Sequence, residues 1–417
     1  MDQLFENWQE TKDVLLEGLE GSKREITAAG LENAKQYMTE TATGPATAAG
    51  NIADFRKILL PLIRRTLPQQ IATELVGVQP MAGPVGLVYS LRFRYSDDQS
   101  AGSALNALSA THDVTAQDEM FAPSLLALHY SGDPAANAEF GGAGAVGDWE
   151  GIPLIGGSVM DSPGRRVDLQ VLKQAVEAGT RKLSARWTVE AMQDLSSQHG
   201  LDVESELVSA MSTEITSEMD QEIILDLSNL ATTVAAYDQS TTTGTPTWIG
   251  DKHSALGTQI AKVSTEIARL TKRGGANWAV VSSPVLAVLQ SANRHADFRG
   301  SFMSLDAGAM VSGPNTNVKQ VGLLNGGIRV YHDSYNVAAN DTIILGYKGD
   351  TEVDSGYFHA PYIPLMASQP VIDPATFEPV IQLMTRYGKA TFTNTATSLG
   401  NSGNYYGKVT VANLTFV

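Results

Sequence analysis

The residues able to do chemistry in this chain are few and poorly spaced for it. Gly142-Ala143-Gly144-Ala145-Val146-Gly147 spells GxGxxG, which cradles a pyrophosphate only where a strand leads in and a helix N-terminus leads out. Here Asp133-Pro134-Ala135-Ala136-Asn137 precedes it and Asp148-Trp149-Glu150-Gly151 follows. Neither context fits, and the match reads as chance in a glycine-rich loop. The seven histidines (His112, His129, His199, His253, His295, His332, His359) are scattered without ligand spacing. His332-Asp333, flanked by Tyr331 and Tyr335, is the densest polar group and reads as a loop. No GxxxxGK[ST] phosphate loop, HExxH pair or GxSxG nucleophile elbow occurs, and carboxylates without a cleft define no acid–base pair. The absence of cysteine excludes disulfides, thiolate metal sites and cysteine nucleophiles together. The expectation is a non-enzyme with no cofactor and no metal.

Charge points the same way. With 29 basic and 45 acidic residues the chain carries −16, the wrong sign for gripping phosphates through a basic face. No apolar run approaches the roughly 18 residues of a membrane span. The first residues are acidic (Asp2, Glu6, Glu10) where a secretory signal would be basic. At 417 residues, two or three domains are expected.

The elements that position these residues follow from periodicity. Residues 1–40 hold apolar side chains (Leu4, Phe5, Trp8, Leu15, Leu16, Leu19) at helical spacing, with nine acidic residues against four basic ones. A small-residue linker, 41–50, comes next. Composition alone leaves two readings of this helix, a capping element or a removable targeting segment. Leu87, Tyr89, Leu91, Phe93 and Tyr95 alternate with Val88, Ser90, Arg92 and Arg94, the pattern of a strand with one face built for burial. Residues 97–165 are weakly patterned, as interaction loops are, and 167–187 read as a returning strand or ribbon. Val189–Gln198 reads as a short helix stopped at Gly200. Asp202 then caps a long helix to about Leu230. Its apolar residues recur every fourth position, Val203 through Leu227. Four residues overshoot a turn by about 40°, so the stripe winds and must meet different partners along its length. Strands are expected at Trp278–Ser282, Asp341–Tyr347 and Ile381–Tyr387, with a helix opening at Ser283-Pro284. Leu324–Tyr331 reads as a hairpin turning on Asn325-Gly326. The sum is an α+β fold.

Several collinear stretches resemble one family. Pro61-Leu-Ile-Arg-Arg-Thr-Leu-Pro68 running into Val76-Gly-Val-Gln-Pro-Met-Ala-Gly-Pro-Val-Gly86, then Glu190–Leu195, His199–Asp202 and Glu206–Glu222, are similar to T-even-type phage major capsid proteins. So are Leu345–Gly349, Ala360–Pro364 and Thr385–Gly388. The resemblance implies a Hong Kong 97-type capsid fold. Residues 41–86 would be the N-arm and linker, and 87–187 an extended loop with a reduced insertion. Residues 188–235 and 360–417 would form a peripheral domain carrying a spine helix, and 236–359 an axial domain. It implies a structural protein of the virion, assembled in the host cytoplasm as a homo-hexamer within an icosahedral or prolate shell. Partners would be a vertex protein, portal, scaffold, a prohead protease and decoration proteins, with DNA enclosed but not specifically bound. Two alternatives remain, a pentameric vertex protein of the same phage type and an encapsulin-like nanocompartment shell. Proteases of such phages cut after a small motif ending in glutamate. The matching position is Tyr37-Met38-Thr39-Glu40, followed by Thr41, which makes residues 1–40 a removable assembly segment. Inter-subunit contacts are expected at Arg64, Arg65, Arg92 and Arg94.

Overall fold

The computed structural model describes residues 8–41, 70–96, 120, 154–155, 158–159, 166–200, 202–240, 249–295, 303–305, 318–324, 327–335, 341–352, 354–368, 370–391 and 401–414. The chain opens with helices α1 (Trp8–Leu15), α2 (Gly21–Thr41) and the single turn α3 (Ala72–Leu75). Strands β1 (Gly77–Val78), β2 (Val85–Tyr95), β3 (Leu154–Ile155), β4 (Ser158–Val159), β5 (Val167–Glu177) and β6 (Gly179–Arg186) follow. Next come α4 (Val189–His199), α5 (Val203–Leu230), β7 (Thr233–Asp238) and α6 (Ile249–Thr271). After them run β8 (Trp278–Ser282), α7 (Ser283–His295), β9 (Met303–Leu305), β10 (Val318–Leu324), β11 (Ile328–Asp333) and β12 (Thr342–Gly346). The last elements are β13 (Tyr357–Ala367), β14 (Val371–Ile372), β15 (Pro379–Thr391), a 3₁₀ turn (Ser402–Tyr405) and β16 (Tyr406–Ala412).

Two sheets carry the body. One has seven strands in the order β7-β16-β12-β8-β11-β10-β9, the other five, β1-β13-β15-β14 with β6 on the far edge of β15. The core of the seven-stranded sheet is apolar on both faces, as a sheet covered from both sides requires. In β8, Ala279 and Val281 pack with Leu256, Ile260 and Val263 of α6 and Val285 and Leu289 of α7. Trp278 and Val280 pack on the opposite side with Ile223, Ile224 and Leu227 of α5. Gly346 admits Trp278, because a Cβ at 346 would overlap the indole ring.

Helix α5 begins where Asp202 accepts a hydrogen bond from the Glu204 N–H, 3.2 Å away. Its winding stripe meets two different clusters. Met211, Ile215 and Met219 pack with Leu365, Ile381 and Leu383 of the five-stranded sheet. Ile223 and Leu227 pack beneath the seven-stranded sheet. One helix therefore joins both units. Helix α4 is capped by Thr188, which accepts from the Ala191 N–H, and is stopped by Gly200 in the left-handed conformation.

The pairing redistributes some residues. Strand β16, in the C-terminal stretch grouped by resemblance with the peripheral domain, lies between β7 and β12 in the seven-stranded sheet. Strand β6, grouped with the extended loop, joins β15. His332 is not in a loop: it sits in β11, opposite Val281 of the parallel strand β8. That pairing is remote in sequence, so no local window reveals it. The hairpin partners Leu324 and Ile328 face each other as expected, while Asn325-Gly326 lies outside the described residues, as does the glycine motif 142–147.

Candidate functional site

The largest unfilled demand in the molecule is on the ribbon formed by β2 and β5. Its eleven-residue strands pair antiparallel from Val85↔Glu177 to Tyr95↔Val167. Directly opposed residues share a face, so Val85, Leu87, Phe93 and Tyr95 stand with Glu177, Ala175, Lys173, Val171, Leu169 and Val167, a face apolar toward its far end and charged at Lys173 and Glu177. This is the face whose alternation calls for burial. It is open: Leu87 is 51%, Phe93 53% and Leu169 59% exposed, with Val85, Val167 and Val171 similarly bare. Among the described residues of this face, Tyr95, at the far end, is buried. The opposite face anchors the ribbon at its base, where Val176 packs with Met81, Phe358 and Ala390. A two-stranded ribbon with one uncovered apolar face is marginal in water by itself, and an apolar patch of this kind marks an interaction surface.

Polar chemistry gathers instead where α5 meets the five-stranded sheet. Glu218, Glu222 and Asp226 form a row at helical spacing. Glu222 accepts from Arg181 (2.5 Å), Tyr387 (2.5 Å) and Lys389 (3.0 Å). Arg181 also donates to Glu218 at 2.8 Å, and Asp226 accepts from Lys389 (2.7 Å) and Tyr357 (3.1 Å). Burial alone raises the Glu222 pKa, but the hydrogen bonds from Tyr387, Arg181 and Lys389 outweigh it and bring it down to about 2. On the opposite side of the helix from Glu222, Asp220 is buried and accepts from the Ile71 N–H at 3.1 Å. Burial drives its carboxyl up to about 8, the Ile71 bond offsetting only part. These groups fasten a helix to a sheet.

Ser283 and His332 come within 2.8 Å (Oγ to Nε2), and Asp333 follows His332. Yet Asp333 spends its carboxylate on Gln221 (2.8 Å) and the Tyr335 N–H (3.0 Å). Strand alternation sends adjacent side chains to opposite faces, so Asp333 does not orient His332 as the acid of a nucleophilic triad.

The N-terminal helices form a third assembly. Trp8 and Leu16 pack against Leu31 and Ala34, and Glu32 accepts from Lys12 (2.8 Å) and Trp8 (3.3 Å). Helix α2 is then fixed to the body. Ile26 enters the cluster with Ile71, Leu75 and Trp278, and Asn33 donates to the carbonyls of Met81 (2.7 Å) and Tyr362 (3.0 Å). Ser22 donates to Glu352 (2.5 Å), and Lys23 pairs with Glu74 (2.5 Å).

Of the residues singled out from sequence, Glu40 and Thr41 are the last two of α2. Arg92 and Arg94 lie on the polar face of β2, where Arg94 is half-buried and stands opposite Asp168. The Arg92 side chain and all of Arg64 and Arg65 fall outside the described residues. Sequence reading missed the Arg181–Glu222–Lys389 network, for which the acidic row 218, 222, 226 was the available signal. It also missed Asp220, for which no local signal exists.

The body is tied together by internal ion pairs, and the ribbon carries exposed apolar side chains. The chain belongs to the major capsid protein Gp23 family, whose model matches residues 52–411. The major capsid protein of Enterobacteria phage T6 is 30% identical over 412 residues, covering 82% of this chain and 78% of that one. Those of Enterobacteria phage T4 (29%, 82% and 76% covered) and Vibrio phage KVP40 (27%, 84% and 80%) are similar. Among solved structures, the capsid of Myoviridae phage XM1 superposes with a TM-score of 0.44 at 10% identity, over 81% of this chain and 89% of that one. A superposition at that level adds nothing to the family match. The chain is thus a structural component of the phage virion capsid, and this is not an enzyme family. No helix among the described residues is long and apolar enough to cross a membrane.

Proposed function

We propose that this protein builds the phage head as a homo-hexamer, each subunit laying the apolar face of its β2–β5 ribbon on a neighbour. The carrying observation is that open face, which is too apolar to be a solvated surface and too regular to be a frayed loop. The fold is read as Hong Kong 97-type. Residues 41–86 form the N-arm, 87–187 the extended loop, 188–235 and 360–417 most of the peripheral domain, and 236–359 the axial domain. Strand pairing favours adding β7 and β16 to the axial unit and β6 to the peripheral one. In this reading α5 is the spine. Arg92, Arg94, Arg64 and Arg65 meet carboxylates of adjoining subunits in an icosahedral or prolate shell. Vertex protein, portal, scaffold and decoration proteins complete it, and DNA is enclosed without specific binding.

The test is direct. Leu87→Asp with Phe93→Asp leaves the body intact and is expected to abolish particles in electron micrographs while the circular dichroism of the soluble chain is kept. Particles at the normal yield would sink the ribbon interface. Processing after Glu40 by a prohead protease is part of the same reading. Its check is the intact mass of the chain from purified particles: a start at Thr41 supports it and a start at Met1 excludes it.

A further inference from the structure

Among the described side chains, the contacts that fix α2 to the body come from Ser22, Lys23, Ile26 and Asn33, which precede the Glu40–Thr41 bond. What they meet is a built surface. Its floor is apolar, with Ile71, Leu75 and Val78 in the cluster that takes Ile26. Two backbone carbonyls, of Met81 and Tyr362, converge on the one amide nitrogen of Asn33. Two carboxylates are held in place by the body itself. Glu352 accepts from the Val78 N–H at 2.8 Å and pairs with Lys348 at 3.2 Å, and Glu74 pairs with Arg329 at 3.2 Å. Both are thus positioned by the body and offered to Ser22 and Lys23. The surface is built on α3, β1 and β13, and Arg329 of β11 holds Glu74 in place from the seven-stranded sheet.

We infer that this is a helix-binding surface whose ligand is the chain's own residues 21–36, an amphipathic helix presenting Ser22-Lys23, Ile26 and Asn33. A single cut after Glu40 removes the covalent tether but none of these contacts. The severed segment therefore stays docked against α3 and β13 until a further event strips or degrades it. Cutting and release are separate steps. The inference rests on the proposed processing site for its biological setting, but not for its test.

A recognition site for a sequence-specific protease, substituted into residues 42–50 of the full chain, allows cutting independently of any natural cleavage. After complete cutting, size exclusion followed by intact mass is expected to find the N-terminal fragment travelling with the body. Ile26→Ala with Asn33→Ala is expected to speed its dissociation at least about tenfold, from the lost apolar contact and two hydrogen bonds. Lys23→Glu, which disturbs no buried side chain, is expected to speed dissociation less, and by an amount that shrinks as salt is raised. Immediate separation of the unsubstituted fragment, or equal retention of the doubly substituted one, overturns the inference. A particle mass beginning at Met1 would remove the processing reading and leave a positive docking result standing.

Discussion

The β2–β5 ribbon and the seven-stranded sheet are made from the same kind of residue and meet opposite fates. In the sheet, Trp278, Val280, Ile344 and Tyr406 are covered on one side by α5, while Ala279, Val281, Ile343 and Val409 are covered on the other by α6 and α7. In the ribbon, Leu87, Phe93, Leu169 and Val171 have no element of their own chain above them among the described residues. Two strands with no helix to pack against cannot bury a face. The sheet closes its surface inside the subunit. The ribbon leaves the same requirement to be met from outside, which suits a protein whose stability as a shell comes from association.

Substitution at matched apolar positions tests that contrast most strongly. Trp278→Ala is expected to destabilise the isolated chain by about 3–5 kcal/mol through loss of buried surface and the cavity left behind. Phe93→Ala is expected to stay within about 0.5 kcal/mol, like other changes at exposed positions. Urea denaturation of soluble subunits measures both. Equal costs would mean that the ribbon face is covered within the chain, and would break the comparison.

A smaller effect separates two carboxylates on α5 by their response to pH. Glu222 has a pKa lowered to about 2 in the fold, so its contribution is present above its ordinary value and is lost as pH falls toward 2. Because it is partly exposed, about 1 kcal/mol is the most to expect after screening. Asp220 has a pKa raised to about 8. The folded state therefore holds a proton that the unfolded chain releases near pH 4, and stability declines as pH rises from about 4 to about 8. Glu222→Gln is expected to flatten the acid limb of a stability-versus-pH curve and Asp220→Asn the neutral limb. Swapped limbs would mean that the two environments have been misassigned.

Much of the fold was legible from local pattern. The i, i+4 recurrence from Val203 to Leu227 gave α5 and its two-sided packing, Asp202 and Gly200 gave the adjoining caps, and the alternation in 87–95 gave β2 and its apolar face. The candidate interface was legible only in part, because alternation says which face is apolar and not what covers it. The Arg181–Glu222–Lys389 network and the clasp of Asn33 on Met81 and Tyr362 join residues far apart in the chain, and no window of neighbouring residues contains both halves.

The chain by itself determined the helices, their ends, the ribbon strands and the acidic, cysteine-free chemistry, since each depends on side chains within a few turns or residues of one another. The tertiary structure decided that β16 lies between β7 and β12 in the seven-stranded sheet, that α2 docks on α3 and β13, and that the described apolar side chains at Leu87, Phe93 and Leu169 stay bare. Those outcomes depend on which distant surfaces compete for the same apolar area, and that competition is settled only when the whole chain packs at once.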